Sequence, residues 1–240
     1  MVSKDTIRGA LHMYITELET PAVLLDLDIA KKNLQTYQQA CDKYKKSLWP
    51  MVKTHKSSSL LKKQMELGAE GFLCGTIDEC EMAVEAGAGK IMYAYPPANP
   101  KNISRLAVLA HKADIIIRID HLDVARMLET AAEKEGITFF YSIIVDMDFH
   151  RFGVAPAKVV AFAQEMKQFS HLKFFGISTH PGQVYGCTTQ EERQTVAKLE
   201  TETMGSVAAD LKAAGFTDFF VTSGSTPTFA LTVDQPAIQI

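Results

Sequence analysis

Apolar residues recur along this chain in two alternating patterns: short, nearly continuous runs, and longer stretches with helical spacing. The short runs cover residues 22–28, 48–53, 71–75, 90–95, 114–119, 139–146, 174–179 and 219–222, and each reads as a strand. A run that is apolar at almost every position suits a parallel strand covered on both faces, where no side faces water. Between the runs, residues 29–44, 60–68, 78–86, 103–111, 122–134, 156–169 and 190–214 carry apolar residues on one helical face and polar residues on the other. Four of these helical stretches end alike, in LGAEGF, EAGAGKI, KEGITFF and AAGFTDFF, where a glycine can take the left-handed conformation that stops a helix before the chain re-enters the sheet. This is a β/α repeat. Eight such units in about 250 residues predict an α/β fold of the (β/α)8 TIM-barrel type, with an open doubly wound sheet as the other arrangement the pattern allows. No linker or low-complexity stretch divides the chain, so residues 1–240 read as one domain. Residues 1–20 form a lead segment that can hold a short helix and is closed by Thr20-Pro21.

Composition narrows the class. With 47 % hydrophobic and 22 % charged residues, 240 residues can bury a sizeable core. The net charge of -3 offers no electrostatic footprint for nucleic acid or an anionic membrane surface. Cys41, Cys74, Cys80 and Cys187 are scattered without a C-x-x-C pair or a histidine at zinc spacing, as in reduced thiols of an intracellular protein. No apolar leader and no uncharged run of membrane-spanning length is present, so the expected location is the cytoplasm.

In a barrel of this kind the chemistry sits at the carboxyl ends of the strands. The second run closes on Lys53, ahead of a Ser57-Ser58-Ser59 cluster that can cap the next helix. A lysine there, partly desolvated, becomes a nucleophilic amine able to join a carbonyl, whereas Lys56 sits beside the serines and is expected to be solvated. His55 shares the face of Lys53 if the strand continues that far. The sixth run leads into Arg151, whose forked donors can hold a phenolate or carboxylate, and the seventh into His180 and Tyr185. Either Arg151 or His180 can equally be structural. The eighth ends in Thr222-Ser223-Gly224-Ser225-Thr226, a glycine and hydroxyl turn that exposes backbone N–H groups where barrels commonly bind phosphate. Asp146 and Asp148 share a strand face but have no histidine or further carboxylate beside them, which argues against a metal site. An amine, a phosphate turn, an arginine and a histidine at one barrel mouth are what a pyridoxal phosphate site needs.

The segments TPAVLLDLD (20–28), PMVKTHKS (50–57), RFGV (151–154), THPGQVY (179–185) and GSTPT (224–228) resemble the D-threonine aldolase and D-serine dehydratase family, whose N-terminal domain is similar to that of alanine racemase, among the fold type III pyridoxal phosphate enzymes. The resemblance implies that Lys53 carries the cofactor, that His180 and Tyr185 border its ring, that Thr222, Gly224, Ser225 and Thr226 bind its phosphate, and that Arg151 lies near its phenolic oxygen. It also implies a homodimer acting on a small amino-acid substrate, with Lys53, His180 and Tyr185 as the catalytic set. The family usually reads R-P-H ahead of V-K-T-H-K, where this chain has Trp49-Pro50-Met51, and usually has glycines where Asp148 and His150 stand. Its members continue into a β-rich C-terminal domain that, in aldolase and dehydratase relatives, carries the ligands of a divalent metal. Those ligands are not in this sequence, so a metal is expected only through such a domain. The function expected is a pyridoxal phosphate-dependent lyase acting on D-3-hydroxy amino acids, by aldol cleavage or by loss of water. Two alternatives stay open: an amino-acid racemase on the same barrel, and a non-enzymatic pyridoxal phosphate-binding homeostasis protein.

Overall fold

Six of the eight apolar runs pair as parallel strands in one sheet of order β3-β4-β5-β6-β7-β8, seen in a computed structural model that describes residues 6–7 and 13–240. The strands are β3 (Phe72–Cys74), β4 (Lys90–Tyr93), β5 (Asp114–Ile119), β6 (Phe139–Ile144), β7 (Leu172–Ser178) and β8 (Phe220–Thr222). Two residue pairs ahead of them, β1 (Thr6–Ile7) and β2 (Met13–Tyr14), form a separate antiparallel ladder. The helix expected in the lead segment falls largely outside the described residues.

Helices join successive strands: α2 (Ser58–Leu67) enters β3, and α3 (Ile77–Glu85), α4 (Pro100–Leu109), α5 (Leu122–Glu135), α6 (Val159–Met166) and α7 (Gln190–Ala213) lie between the rest, with α1 (Leu27–Lys43) at the front and α8 (Phe229–Thr232) after β8. Ser57 caps α2 by accepting the Leu60 N–H at 3.3 Å, and Thr189 with Glu192 makes a capping box at α7. The four glycines expected to end helices, Gly68, Gly87, Gly136 and Gly215, all have positive φ, between 64° and 116°. The helical stretch at 156–169 is shorter than expected, because Pro156–Lys158 forms a tight 3-10 turn before α6 begins. Ile91, Ile115, Ile117, Phe139 and Ile143 are fully buried between sheet and helices, so burial of the strand faces supplies the main stabilisation.

Two expected strands are not strands. In the run at 22–28 the Asp26 carboxylate accepts the N–H groups of Asp28 and Ile29, which turns Leu27 onward into α1 and leaves Val23, Leu24 and Leu25 exposed with no strand beside them among the described residues. The run at 48–53 stays extended only to Met51, which bridges Leu73, while the Leu73 N–H donates to the Pro50 carbonyl at 3.0 Å; Val52–Thr54 then winds into a 3-10 turn. The sheet is nevertheless curled. At its β8 edge the Gln239 N–H donates to the Val221 carbonyl (2.9 Å) and the Ser223 N–H to the Ile240 carbonyl (3.0 Å), and the Ser47 N–H donates to the Gln239 carbonyl (2.9 Å). The two edges of the six-stranded sheet thus meet through residues 239–240, in place of the segment 22–28. The fold is α/β with a curled six-stranded parallel sheet, and the eight-stranded barrel expected from the pattern is reduced to that.

Candidate active site

A cavity of about 350 Å³ opens where the strands end, a size ordinary for a cofactor site. The residues that the family resemblance assigns to the cofactor reach it: Lys53, Arg151, His180, Tyr185, Thr222, Gly224, Ser225 and Thr226 line its wall.

Lys53 sits in the 3-10 turn at Val52–Thr54 and is exposed. The extended run ends at Met51, two residues before Lys53, which corrects the expectation of a desolvated amine closing a strand. Lys56 points elsewhere: its ammonium lies 3.7 Å from the buried carboxylate of Glu79, which also accepts the Gly75 N–H at 2.8 Å. The same turn moves His55 off the face of Lys53. Its Nδ1 accepts the Ser57 N–H at 3.0 Å, and burial depresses its pKa.

The turn after β8 is organised from behind. The Ser225 and Thr228 hydroxyls are 2.9 Å apart, and the Ser223 hydroxyl donates to the Glu200 carboxyl at 2.5 Å. Glu200, on α7, is wholly buried, and desolvation raises its pKa. At the front, the backbone N–H groups of Gly224, Ser225 and Thr226 have no acceptor among the described residues, and a side chain at Gly224 would meet nothing within 4 Å. Three free donors in succession are a donor set that can hold an anion. Thr222 differs: its hydroxyl is turned toward the Ile177 carbonyl at 3.4 Å, inside the sheet.

His180 spans the gap between β7 and this turn. Its Nδ1 lies 3.0 Å from the Gly224 carbonyl, an acceptor that only a ring N–H can satisfy, so Nε2 carries the lone pair. Burial, with the cationic Arg151, Arg118 and Lys53 around it, holds its pKa below the usual 6.5. Tyr185 stands 6.0 Å from the imidazole, ring to ring, and is 63 % exposed. Phe149 meets the imidazole edge-on at 6.2 Å. Phe149 and Phe152 also flank the Arg151 guanidinium at 5.1 and 4.3 Å, with Tyr95 at 5.6 Å, which holds the cation over rings and leaves its donors free. The loop that brings Phe149 and Arg151 here needs left-handed backbone at Asp148 (φ 68°) and His150 (φ 52°), where Asp146 accepts both the backbone N–H and the ring nitrogen of His150. Asp146 is thus engaged by His150, and no group of three or more metal-ligating side chains occurs among the described residues.

Two residues that sequence reasoning passed over belong to the site. Glu200 was hidden in a helix with many acidic residues. Arg118 had a visible signal, a lone arginine in the strand DIIIRI: it is 4 % exposed, lines the cavity floor, and donates from Nε to the Ser178 hydroxyl at 2.9 Å.

Comparison with known proteins places this geometry. The family model described as the alanine racemase N-terminal domain matches residues 25–237. D-threo-3-hydroxyaspartate dehydratase of Delftia sp. (strain HT23) is 31 % identical over 88 % of this chain and 56 % of that protein. D-threonine aldolase of Arthrobacter sp. is 28 % identical over the same shares of the two chains. The solved structure of D-threonine aldolase from Filomicrobium marinum superposes with a TM-score of 0.90 at 26 % identity, covering 94 % of this chain and 61 % of that one. This chain spans a little over half the length of the relatives it matches.

Proposed function

The chain belongs to the alanine racemase N-terminal domain family, in its D-threonine aldolase and D-serine dehydratase group, and from that membership we propose that it binds pyridoxal 5'-phosphate and serves a lyase acting on D-3-hydroxy amino acids. One observation carries the reading: Lys53 and the free N–H groups of Gly224–Thr226 face the same cavity, with no Asp or Glu among its lining residues. An aldehyde-bearing aromatic phosphate fits that donor set. Lys53 would hold the aldehyde, the turn at 224–226 the phosphate, and Arg151, with its donors free of any carboxylate, the phenolic oxygen. When bound, the cofactor draws electrons from Cα of the amino acid, so that the Cβ bond to carbon or to the hydroxyl can break.

The chain's own residues supply proton handling and exclusion. His180 stays neutral at neutral pH, and its Nε2 is free to take a proton from the substrate hydroxyl or from Cα. Nδ1, tied to the Gly224 carbonyl, keeps the imidazole aligned with the phosphate turn. Phe149 and Tyr185 flank the imidazole and wall the mouth.

The reading is tested by loading the chain with pyridoxal 5'-phosphate, reducing with borohydride and mapping the modified peptide. The label is expected on Lys53, is abolished by Lys53→Ala and is unaffected by Lys56→Ala. A label on Lys56, or on neither lysine, would overturn the assignment. Incubation with D-threonine, D-serine and D-threo-3-hydroxyaspartate, with and without a divalent cation, checks the reaction: release of glycine, an aldehyde or a 2-oxo acid from none of them sinks the lyase reading.

A further inference from the structure

The cavity holds more positive charge than its proposed cofactor uses. Four cations line it, Lys46, Lys53, Arg118 and Arg151, with no Asp or Glu side chain among its lining residues. Lys46 is occupied, its ammonium donating to the carbonyls of Gln235 and Ile238. On the reading above, Lys53 takes the aldehyde and Arg151 the phenolic oxygen. Arg118 remains.

Its setting is costly without an anion. Arg118 sits on β5 at the cavity floor, with Nε on the Ser178 hydroxyl (2.9 Å) and Nη1 at 3.4 Å from the Ala94 carbonyl, while Nη2 has no hydrogen-bond partner among the described residues. Both anchors are neutral. A buried guanidinium with an idle amino group and no carboxylate in hydrogen-bond contact carries a desolvation penalty that a directly bound ion of opposite sign offsets. Burial, with repulsion from the neighbouring Arg151, outweighs the attraction of Tyr95 and Asp120 and lowers the Arg118 pKa to about 10. Its Nε reaches Ser178 at the end of β7, the strand that delivers His180, so the guanidinium lies near the imidazole that handles the substrate's proton on the reading above.

We propose that Arg118 is the substrate-carboxylate site of this cavity and that it favours amino acids bearing a second carboxylate on the side chain over those ending in a methyl group. The inference rests on the lyase reading for the identity of the ligand but not for the existence of the anion site. A methyl group packed over Arg118 would seal the cavity with the guanidinium uncompensated. A carboxylate there pairs with the fork of donors that Ser178 and Ala94 leave free.

The test needs neither cofactor nor turnover. Binding of malate, a hydroxy acid with two carboxylates, and of 2-hydroxybutyrate, with one, is measured calorimetrically on the full chain. Neither ligand has an amine, so neither can enter a covalent link, and the result stands apart from success or failure of the lyase assay. Wild type is expected to bind malate, with at least tenfold weakening in Arg118→Met and only a few-fold in Arg118→Lys, which keeps the charge but not the fork. Loss confined to malate supports the preference for a side-chain carboxylate, whereas equal loss for both ligands overturns that preference. Absence of malate binding by wild type, or unchanged affinity in an Arg118→Met protein of unaltered melting temperature, overturns the carboxylate site. Should Arg118→Met fail to fold, the comparison of Arg118→Lys with wild type decides: identical affinities reject the proposal.

Discussion

His180 illustrates how a single side chain acquires a function from its surroundings. The Gly224 carbonyl selects the Nδ1–H tautomer, and burial among Arg151, Arg118 and Lys53 disfavours the protonated ring. A histidine whose folded-state pKa lies below its ordinary 6.5 binds its proton more weakly in the folded chain than in the unfolded one. Its contribution to stability is therefore present above about pH 6.5 and is lost as pH falls through the folded value. An NMR titration of the ring protons should show a His180 midpoint below 6.5, and a His180→Gln chain should lose part of the acid-side decline of stability in urea unfolding. A midpoint at or above 6.5 would mean that the imidazole is not in the buried, cation-rich setting described. The placement of His180 at the cavity was legible from THPGQVY after a strand, and Arg118 left a trace as the lone arginine of DIIIRI; their partners, and Glu200 altogether, were not, because Gly224, Ser178 and Ser223 lie 44, 60 and 23 residues away from the side chains they meet.

At the scale of elements, the direction of β7 is set by one glycine. β6 and β7 pair in register until Tyr141 opposite Phe174, after which Ser142 lies opposite Gly176, so Phe175 is an extra residue that bends the strand. Gly176 has φ 155°, and a Cβ placed on it would lie 1.9 Å from the Phe220 carbonyl oxygen of β8. The bend needs backbone to touch backbone, and only glycine allows it. Beyond it the strand delivers Ser178, Thr179 and His180 to the cavity. Gly176→Ala should therefore cost roughly 2–4 kcal/mol in denaturant unfolding, through displacement of β8. It should also weaken phosphate-dependent binding in any folded fraction, since the turn at 224–226 hangs from that strand. A change below about 0.5 kcal/mol would show that β7 and β8 separate freely. The helices were readable because capping residues and terminal glycines act within one turn of chain. The strand at 48–53 was read two residues too long, because Val52 and Lys53 continue its pattern while the chain already winds toward α2.

For the whole molecule, apolar periodicity predicted repeated β/α units but not which segments close the ring. Residues 22–28 looked like a strand because Val23, Leu24 and Leu25 are apolar, yet pairing depends on a neighbour that periodicity does not reveal, and Asp26 diverts the segment into α1. Residues 239–240 take the place beside β8 with too short a run to register as a strand. Lys46 is what holds this closure. Its ammonium donates to the Gln235 carbonyl at 2.7 Å and to the Ile238 carbonyl, which ties the last turn of the chain to the segment that continues through Ser47 and Met51 to Lys53. The contact joins the element carrying the proposed cofactor lysine to the element that follows the proposed phosphate turn, so its loss should be felt at both. Replacing Lys46 by Met removes two charge-assisted hydrogen bonds while keeping the aliphatic stem, and should lower unfolding free energy by about 1.5–3 kcal/mol. Hydrogen exchange should rise first at the Ser47, Gln239 and Ile240 amides, whose bonds close the sheet. If exchange instead rises uniformly, or not at all, residues 239–240 are held by apolar packing and the edges of the sheet do not depend on Lys46.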